Sequence, residues 1–146
     1  MAVKIPPAQI QNLQQIEAVV AGPDDANRLF IIDGQFDSGL VASSQGILVS
    51  QKETFTVLIG PVFRRKQFLQ ANASASLAKI HLVGASMAGS MNATWQILGA
   101  DADWDDESGQ VELRIEAEAI CTGVNQVASI PGFTFHVTIL AAIAAD

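Results

Sequence analysis

Alternating apolar and polar residues predict β-strands along most of the chain. The clearest alternation covers residues 110–120, where aliphatic residues alternate with Glu and Arg. A period of two places successive side chains on opposite faces of a strand, so this segment is predicted to be half-buried. Similar runs predict six further strands, over residues 29–32, 46–49, 54–63, 71–83, 93–104 and 133–139. This series favours an all-β domain over residues 29–141, an antiparallel β-sandwich or jelly roll.

Residues 7–21 differ from this pattern because their apolar positions follow a helical period. Four apolar residues share one half of a helical wheel: Ile10, Leu13, Ile16 and Val20. Pro7 suits the first position of a helix. The sequence therefore predicts a short helix over 7–21 and, at this length, a single domain over residues 1–146. The β-branched pair Val19 and Val20 leaves a strand over residues 16–21 as the alternative.

A hairpin within residues 94–120 is the most specific prediction. Residues 106–109 read Asp-Glu-Ser-Gly, which predicts a four-residue loop in which Gly109 is able to adopt a positive φ. Pairing outward from this loop places small residues opposite large ones on the inner face: Trp104 with Val111, Ala102 with Leu113 and Ala100 with Ile115. On the outer face it places Asp101 opposite Arg114, an attractive pair. It also places Asp103 opposite Glu112, which repel each other.

The charges on the chain are few and unevenly distributed. Charged residues make up 16% of the sequence, against about a quarter in ordinary domains. Residues 119–145 contain no charged residue. A hydrophobic content of 49% argues against disorder, and a net charge of −7 argues against a nucleic-acid partner. With no signal peptide and no 18-residue apolar run, a cytoplasmic protein without a membrane partner is expected.

The acidic hairpin suggests a cation site. Asp101, Asp103, Asp105 and Glu112 occupy positions 1, 3, 5 and 12 of a calcium-loop pattern. The match is partial, because position 6 is Asp106 instead of Gly and the flanking segments are predicted strands. The alternative interpretation is a solvated acidic face. Apart from calcium, which this pattern suggests, no cofactor is expected.

Basic residues and one histidine are candidates for contacts between subunits. A basic triplet, Arg64, Arg65 and Lys66, could contact the acidic hairpin of another copy. Arg114, which lies within the hairpin, is a further candidate for the contact between subunits. His136 lies on the polar side of a predicted strand, where a surface or interface position is expected. No pattern of a nucleophile with a base is legible, so an enzyme is not expected.

Two function classes follow from these observations. The first is a structural or interaction protein that self-assembles into a homo-oligomer or larger assembly, because interface cores are depleted in charge. The uncharged outer faces and edges of residues 71–83 and 132–141 are the expected contacts. The alternative is a binding module that uses the acidic hairpin, residues 101–118, for a divalent cation or a basic protein partner.

Overall fold

A computed structural model describes residues 2–21, 26–84 and 92–142 of the chain. The described residues are almost entirely β-strand, which confirms the all-β class. The elements are β1 (Val3–Lys4), a 3-10 turn (Pro7–Gln9), β2 (Gln11–Ala21), β3 (Ala26–Ser44), β4 (Val49–Ile59), β5 (Phe68–Gly84), β6 (Asn92–Trp104), β7 (Val111–Thr122) and β8 (Gln126–Ala142).

The strands form two four-stranded sheets. The first has the order β1-β4-β7-β6 and the second the order β2-β3-β8-β5. Every pairing is antiparallel except that of β1 with β4. Among the described residues, no helix is long and apolar enough to cross a membrane.

The apolar residues of both sheets form one common buried core. β7 alternates between buried Val111, Leu113 and Ile115 and the charged residues between them, as its period of two requires. Aromatic rings link the two sheets, since the ring of Phe55 on β4 lies 5.3 Å from that of Phe133 on β8. Ring pairs at this separation add to the stabilisation that burial alone provides.

The predicted helix over residues 7–21 is wrong. The 3-10 turn at Pro7–Gln9 is followed directly by β2, which pairs antiparallel with β3 from Gln14 to Ala21. The apolar residues of this segment do not share a buried face, because residues 11–20 are exposed throughout. Pairing with β3 decides the conformation here, and the β-branched Val19 and Val20 suit it.

Several of the predicted strand limits are also wrong. The strand predicted over 54–63 is β4 (Val49–Ile59), and the strand predicted over 133–139 is only part of β8 (Gln126–Ala142). The strand predicted over residues 29–32 is part of the 19-residue β3, which continues through Asp33 and Gly34. Gly34 serves close packing, because a Cβ there would be 2.7 Å from Cζ of Phe135. Residues 46–48, expected in a strand, form the turn between β3 and β4, where Gly46 has a φ of +113°.

The hairpin prediction is confirmed in its register. β6 and β7 pair Trp104 with Val111, Asp101 with Arg114 and Asp103 with Glu112. The amide of Gly109 donates to the carbonyl of Asp105 at 2.8 Å, and Gly109 has a φ of +76°. The alternation of the two strands, together with a loop of fixed length, was sufficient to set this register.

Candidate functional site

β2 is exposed at every residue from 11 to 20. It forms an edge of the second sheet, with β3 as its neighbour. Its side chains are exposed on both faces, and they include Ile16 at 60% and Val19 at 67% exposure. An edge strand presents unpaired backbone N–H and C=O groups that can pair with another strand. On one side of β2, no strand of the described ranges pairs with its backbone, and the same strand carries apolar side chains.

One face of β2 continues into an apolar surface on the outside of the sheet. Ala18 is in register with Leu29 on β3, and Leu29 with Leu140 on β8. Since Phe30 and Ile32 point into the core, Leu29 and its alternate neighbours point outward. We call this surface the β2 patch; it consists of Ile16, Ala18, Val20, Leu29, Ile31 and Leu140.

The single charge on β2 is balanced by a neighbour. Glu17 Oε1 accepts a hydrogen bond from Arg28 Nε at 2.5 Å, and this bond raises the pKa of Arg28. The guanidinium of Arg28 also lies 5.1 Å from the ring centre of Phe30. The pair lies on the inward side of β2, on the opposite face from the β2 patch. The patch itself therefore carries no charge.

The other edge strands in the described part of the chain have features that discourage pairing. β6 carries exposed Asp101 and Asp103, β5 carries exposed Lys79 with three irregularities in its register, and β1 is two residues long. Charges, irregular register and short length are the usual protections of a sheet edge. The register of β2 is irregular near Gln11 and regular from Gln14 onward. Of these edges, β2 is the least protected.

The four carboxylates predicted to bind calcium are not gathered into one group in the described residues. Asp101 lies opposite Arg114, and Oδ1 of Asp103 accepts the amide of Trp104 at 2.8 Å. Oδ2 of Asp105 accepts both the hydroxyl and the amide of Ser108, and these bonds lower the pKa of Asp105. No group of three or more His, Cys, Asp or Glu side chains in the described ranges could hold a metal ion. The calcium hypothesis thus gains no support.

The basic triplet lies beside the acidic hairpin of its own chain. The guanidinium of Arg65 is 5.4 Å from the ring centre of Trp104, which precedes the hairpin loop. The amide of Phe63 donates to the carbonyl of Gly109 at 2.7 Å, which fixes the segment before the triplet against that loop. In the described ranges, the triplet Arg64, Arg65 and Lys66 forms no ion pair with a carboxylate. A contact between these groups in different copies stays a prediction.

His136 lies on the outer face of β8, which is a central strand of its sheet. Its Nδ1 is 2.6 Å from Oδ1 of Asp33, and both side chains are about half exposed. The two residues are neighbours in register, next to the row that contains Ile31 of the β2 patch. His136 is thus a surface residue at the border of that patch.

Sequence reasoning missed two features of the structure. The exposure of β2 was hidden because its apolar residues fit a helical wheel as well as a strand. Glu118 is the second feature: it is 7% exposed and accepts hydrogen bonds from Ser50 at 2.5 Å and Gln96 at 2.6 Å. These bonds lower the pKa of Glu118. The partners come from β4 and β6, so only the sheet order could have revealed them.

Comparison of the chain with protein-family models, with curated proteins and with solved structures finds no match.

Proposed function

We propose that this chain is a non-enzymatic structural or interaction protein that self-assembles through β2. The observation that carries the proposal is the exposure of β2 on both faces, together with its outer edge, which no other described strand covers. Soluble proteins normally protect such an edge. A second copy of the chain is the partner we infer, because β2 can pair with β2 of another copy about a two-fold axis.

The sheet order supports a β-sandwich with jelly-roll connectivity. In the set β3 to β8, the first strand, β3, pairs with the last, β8. The second, β4, pairs with the second to last, β7. β5 then lies beside β8, and β6 beside β7. β2 is an additional strand outside this nested set, and it lies beyond the region where the two sheets cover each other.

The expected strength of the β2 contact follows from the exposed side chains. Burying the exposed parts of Ile16, Val19 and Val20 contributes about 1–2 kcal/mol each, or about 6–12 kcal/mol over two copies. Association costs about 4–15 kcal/mol in lost freedom. Because these quantities are similar, we expect an assembly that is reversible and depends on protein concentration. Backbone hydrogen bonds along β2 would fix its geometry.

Light scattering coupled to size-exclusion chromatography tests this proposal over a range of protein concentrations. The wild-type mass is expected to exceed that of a monomer, and Ile16→Lys with Val19→Lys is expected to reduce it to a monomer. Ile80→Lys is the matched control, because Ile80 is 52% exposed on β5, the opposite edge of the same sheet. A strictly monomeric wild type would overturn the proposal. Dissociation by Ile80→Lys alone would move the interface to β5.

The salt dependence distinguishes the β2 contact from the predicted contact of basic triplet and acidic hairpin. Contacts between exposed charges weaken at high ionic strength because they are screened. The β2 patch carries no charge, and Glu17 on the other face of β2 is paired with Arg28, so assembly through β2 should persist or strengthen in salt. Dissociation at high salt would favour the triplet and hairpin instead.

A further inference from the structure

A second apolar surface lies at one end of the molecule, where two turns project side by side. The turn between β3 and β4 carries Ile47 and Leu48, and the turn between β7 and β8 carries Val124. These three residues, which we call the apolar tip, are 75%, 68% and 53% exposed. The amide of Gly46 donates to the carbonyl of Gly123 at 3.0 Å, so the two turns are in direct contact.

The backbone beneath the apolar tip is held by buried groups. The hydroxyl of Ser44, which is fully buried, accepts the amides of Gly46 and Gly123 at 3.2 Å each. The same hydroxyl donates to the carbonyl of Ile47 at 2.6 Å. Gly123 has a φ of +145°, and a Cβ there would be 2.1 Å from the buried amide oxygen of Gln126. The exposed side chains are therefore presented by a fixed support.

The tip also lies in the uncharged part of the chain. No Asp, Glu, Lys or Arg occurs in residues 38–51 or 119–142. The basic triplet and the loop of the acidic hairpin lie at the opposite end, where Ile59 pairs with Val111. Insertion of the tip into an apolar medium would thus remove no charge from water, which is the main obstacle to such insertion.

We propose that the apolar tip inserts into the interface of a neutral lipid bilayer and attaches the protein peripherally. A lipid surface can deform around the convex turns and so cover all three side chains. Two copies that met tip to tip would bury only three side chains each. That is far below the roughly 800 Å² per partner of a stable protein interface. The tip carries no basic residue and the chain has a net charge of −7, so anionic lipid is not expected to help.

This inference departs from the expectation of no membrane partner and is independent of the proposed self-assembly. The sequence did not reveal it because Ile47 and Val124 are far apart along the chain and belong to different turns. Attachment by exposed side chains at an interface needs no membrane-spanning segment.

Co-sedimentation with phosphatidylcholine vesicles tests the proposal on the full chain. The bound fraction of the wild type is expected to rise with lipid concentration. Ile47→Ser with Leu48→Ser should lower the partition coefficient about tenfold or more, since each side chain loses most of its transferable apolar area. Val62→Ser is the matched control, because Val62 is 69% exposed near the opposite end, and it should leave binding unchanged.

A third variant and a change of lipid separate insertion of the tip from attachment through charge. Val124→Ser should also reduce binding, and thermal melts of all variants confirm that they are folded. Absence of wild-type binding to neutral vesicles would overturn the proposal. So would binding that requires phosphatidylserine and is lost in salt, because that indicates attachment through charge. If the double variant changes the oligomeric mass while vesicles do not bind, the tip is a contact between copies and the proposal is wrong.

Discussion

Gly34 provides a sharp test of the packing described above. It lies in the middle of β3, against the ring of Phe135 on β8. A Cβ at this position would be 2.7 Å from Cζ of Phe135 and 3.0 Å from Cγ2 of Ile10. Favourable contacts between carbon atoms lie at about 3.5–4.0 Å. Phe135 is buried, so a movement of its ring has to displace closely packed neighbours.

We therefore expect Gly34→Ala to lower the free energy of unfolding by about 1–3 kcal/mol, the usual penalty of overpacking a core. For a chain of this size the melting temperature should fall by about 3–10 °C. Urea denaturation measures the change, and an unaltered slope against urea would show that the denatured state is unaffected. Gly39→Ala is the control on the same strand, since a Cβ there meets no atom within 4 Å. It should be neutral or slightly stabilising.

A double-mutant cycle identifies the responsible contact. Phe135→Leu removes the ring, so Gly34→Ala should be less destabilising in that background than in the wild type. The difference is expected to be about 1 kcal/mol, which is typical of residues in contact. Equal losses in the two backgrounds, or equal losses for Gly34→Ala and Gly39→Ala, would refute the steric reasoning.

Three further outcomes follow from the structure. Glu118→Gln should lower the melting temperature at neutral pH, because the lowered pKa of Glu118 stabilises the folded state above the unfolded pKa. This contribution is lost as the pH falls through the folded pKa of Glu118, so the melting temperatures of wild type and variant should become equal in acid. A difference in melting temperature that persists there contradicts this role of the Glu118 carboxylate. Millimolar calcium should leave the melting temperature unchanged, since the described residues hold no metal-binding group, and a saturable rise would restore the cation hypothesis. Ser44→Ala should destabilise the fold by about 1–3 kcal/mol in urea denaturation, because it leaves the amides of Gly46 and Gly123 without that acceptor. Exposed Ser43→Ala should have little effect, and equal losses for the two serines would argue against this role.

The hairpin of β6 and β7 shows what the sequence was sufficient to predict. Its strands alternate strictly next to the loop, over residues 100–104 and 111–115, and Gly109 marks the loop, so two local signals agree on one register. The pairs Asp101–Arg114 and Asp103–Glu112 followed without knowledge of the other strands. Local information of this kind is enough when both partners are adjacent in the chain.

β2 and β3 show where local patterns fail. The apolar residues of β2 are exposed, so their spacing along the chain does not indicate which face of the strand is buried. In β3, Gly34 resembled a turn residue, but its small size serves the ring of Phe135, which is about a hundred residues later in the chain. Neither fact could be derived without the order of the strands in the sheet.

The candidate surfaces depend even more on placement in space. The basic triplet was identified from the sequence, but its position beside the hairpin of the same chain follows from the contact of Arg65 with Trp104. The β2 patch combines residues from three strands, and the apolar tip combines two turns. Exposure is a property of the assembled sheets, and composition indicated only that charges were scarce.

The central position of β8 constrains how the protein is made. β8 is the last described strand to be synthesised, yet it lies between β3 and β5 and completes the second sheet. A nascent chain that has not yet released residues 126–142 from the ribosome leaves both neighbouring strands without their partner. The apolar faces of β3 and β5 then stay exposed to solvent until β8 has been synthesised, at a rate of about 5–20 residues per second. The second sheet is therefore expected to form only after β8 has left the ribosome, and folding is expected to be slow for the size of the domain because its strand pairs are far apart in the sequence.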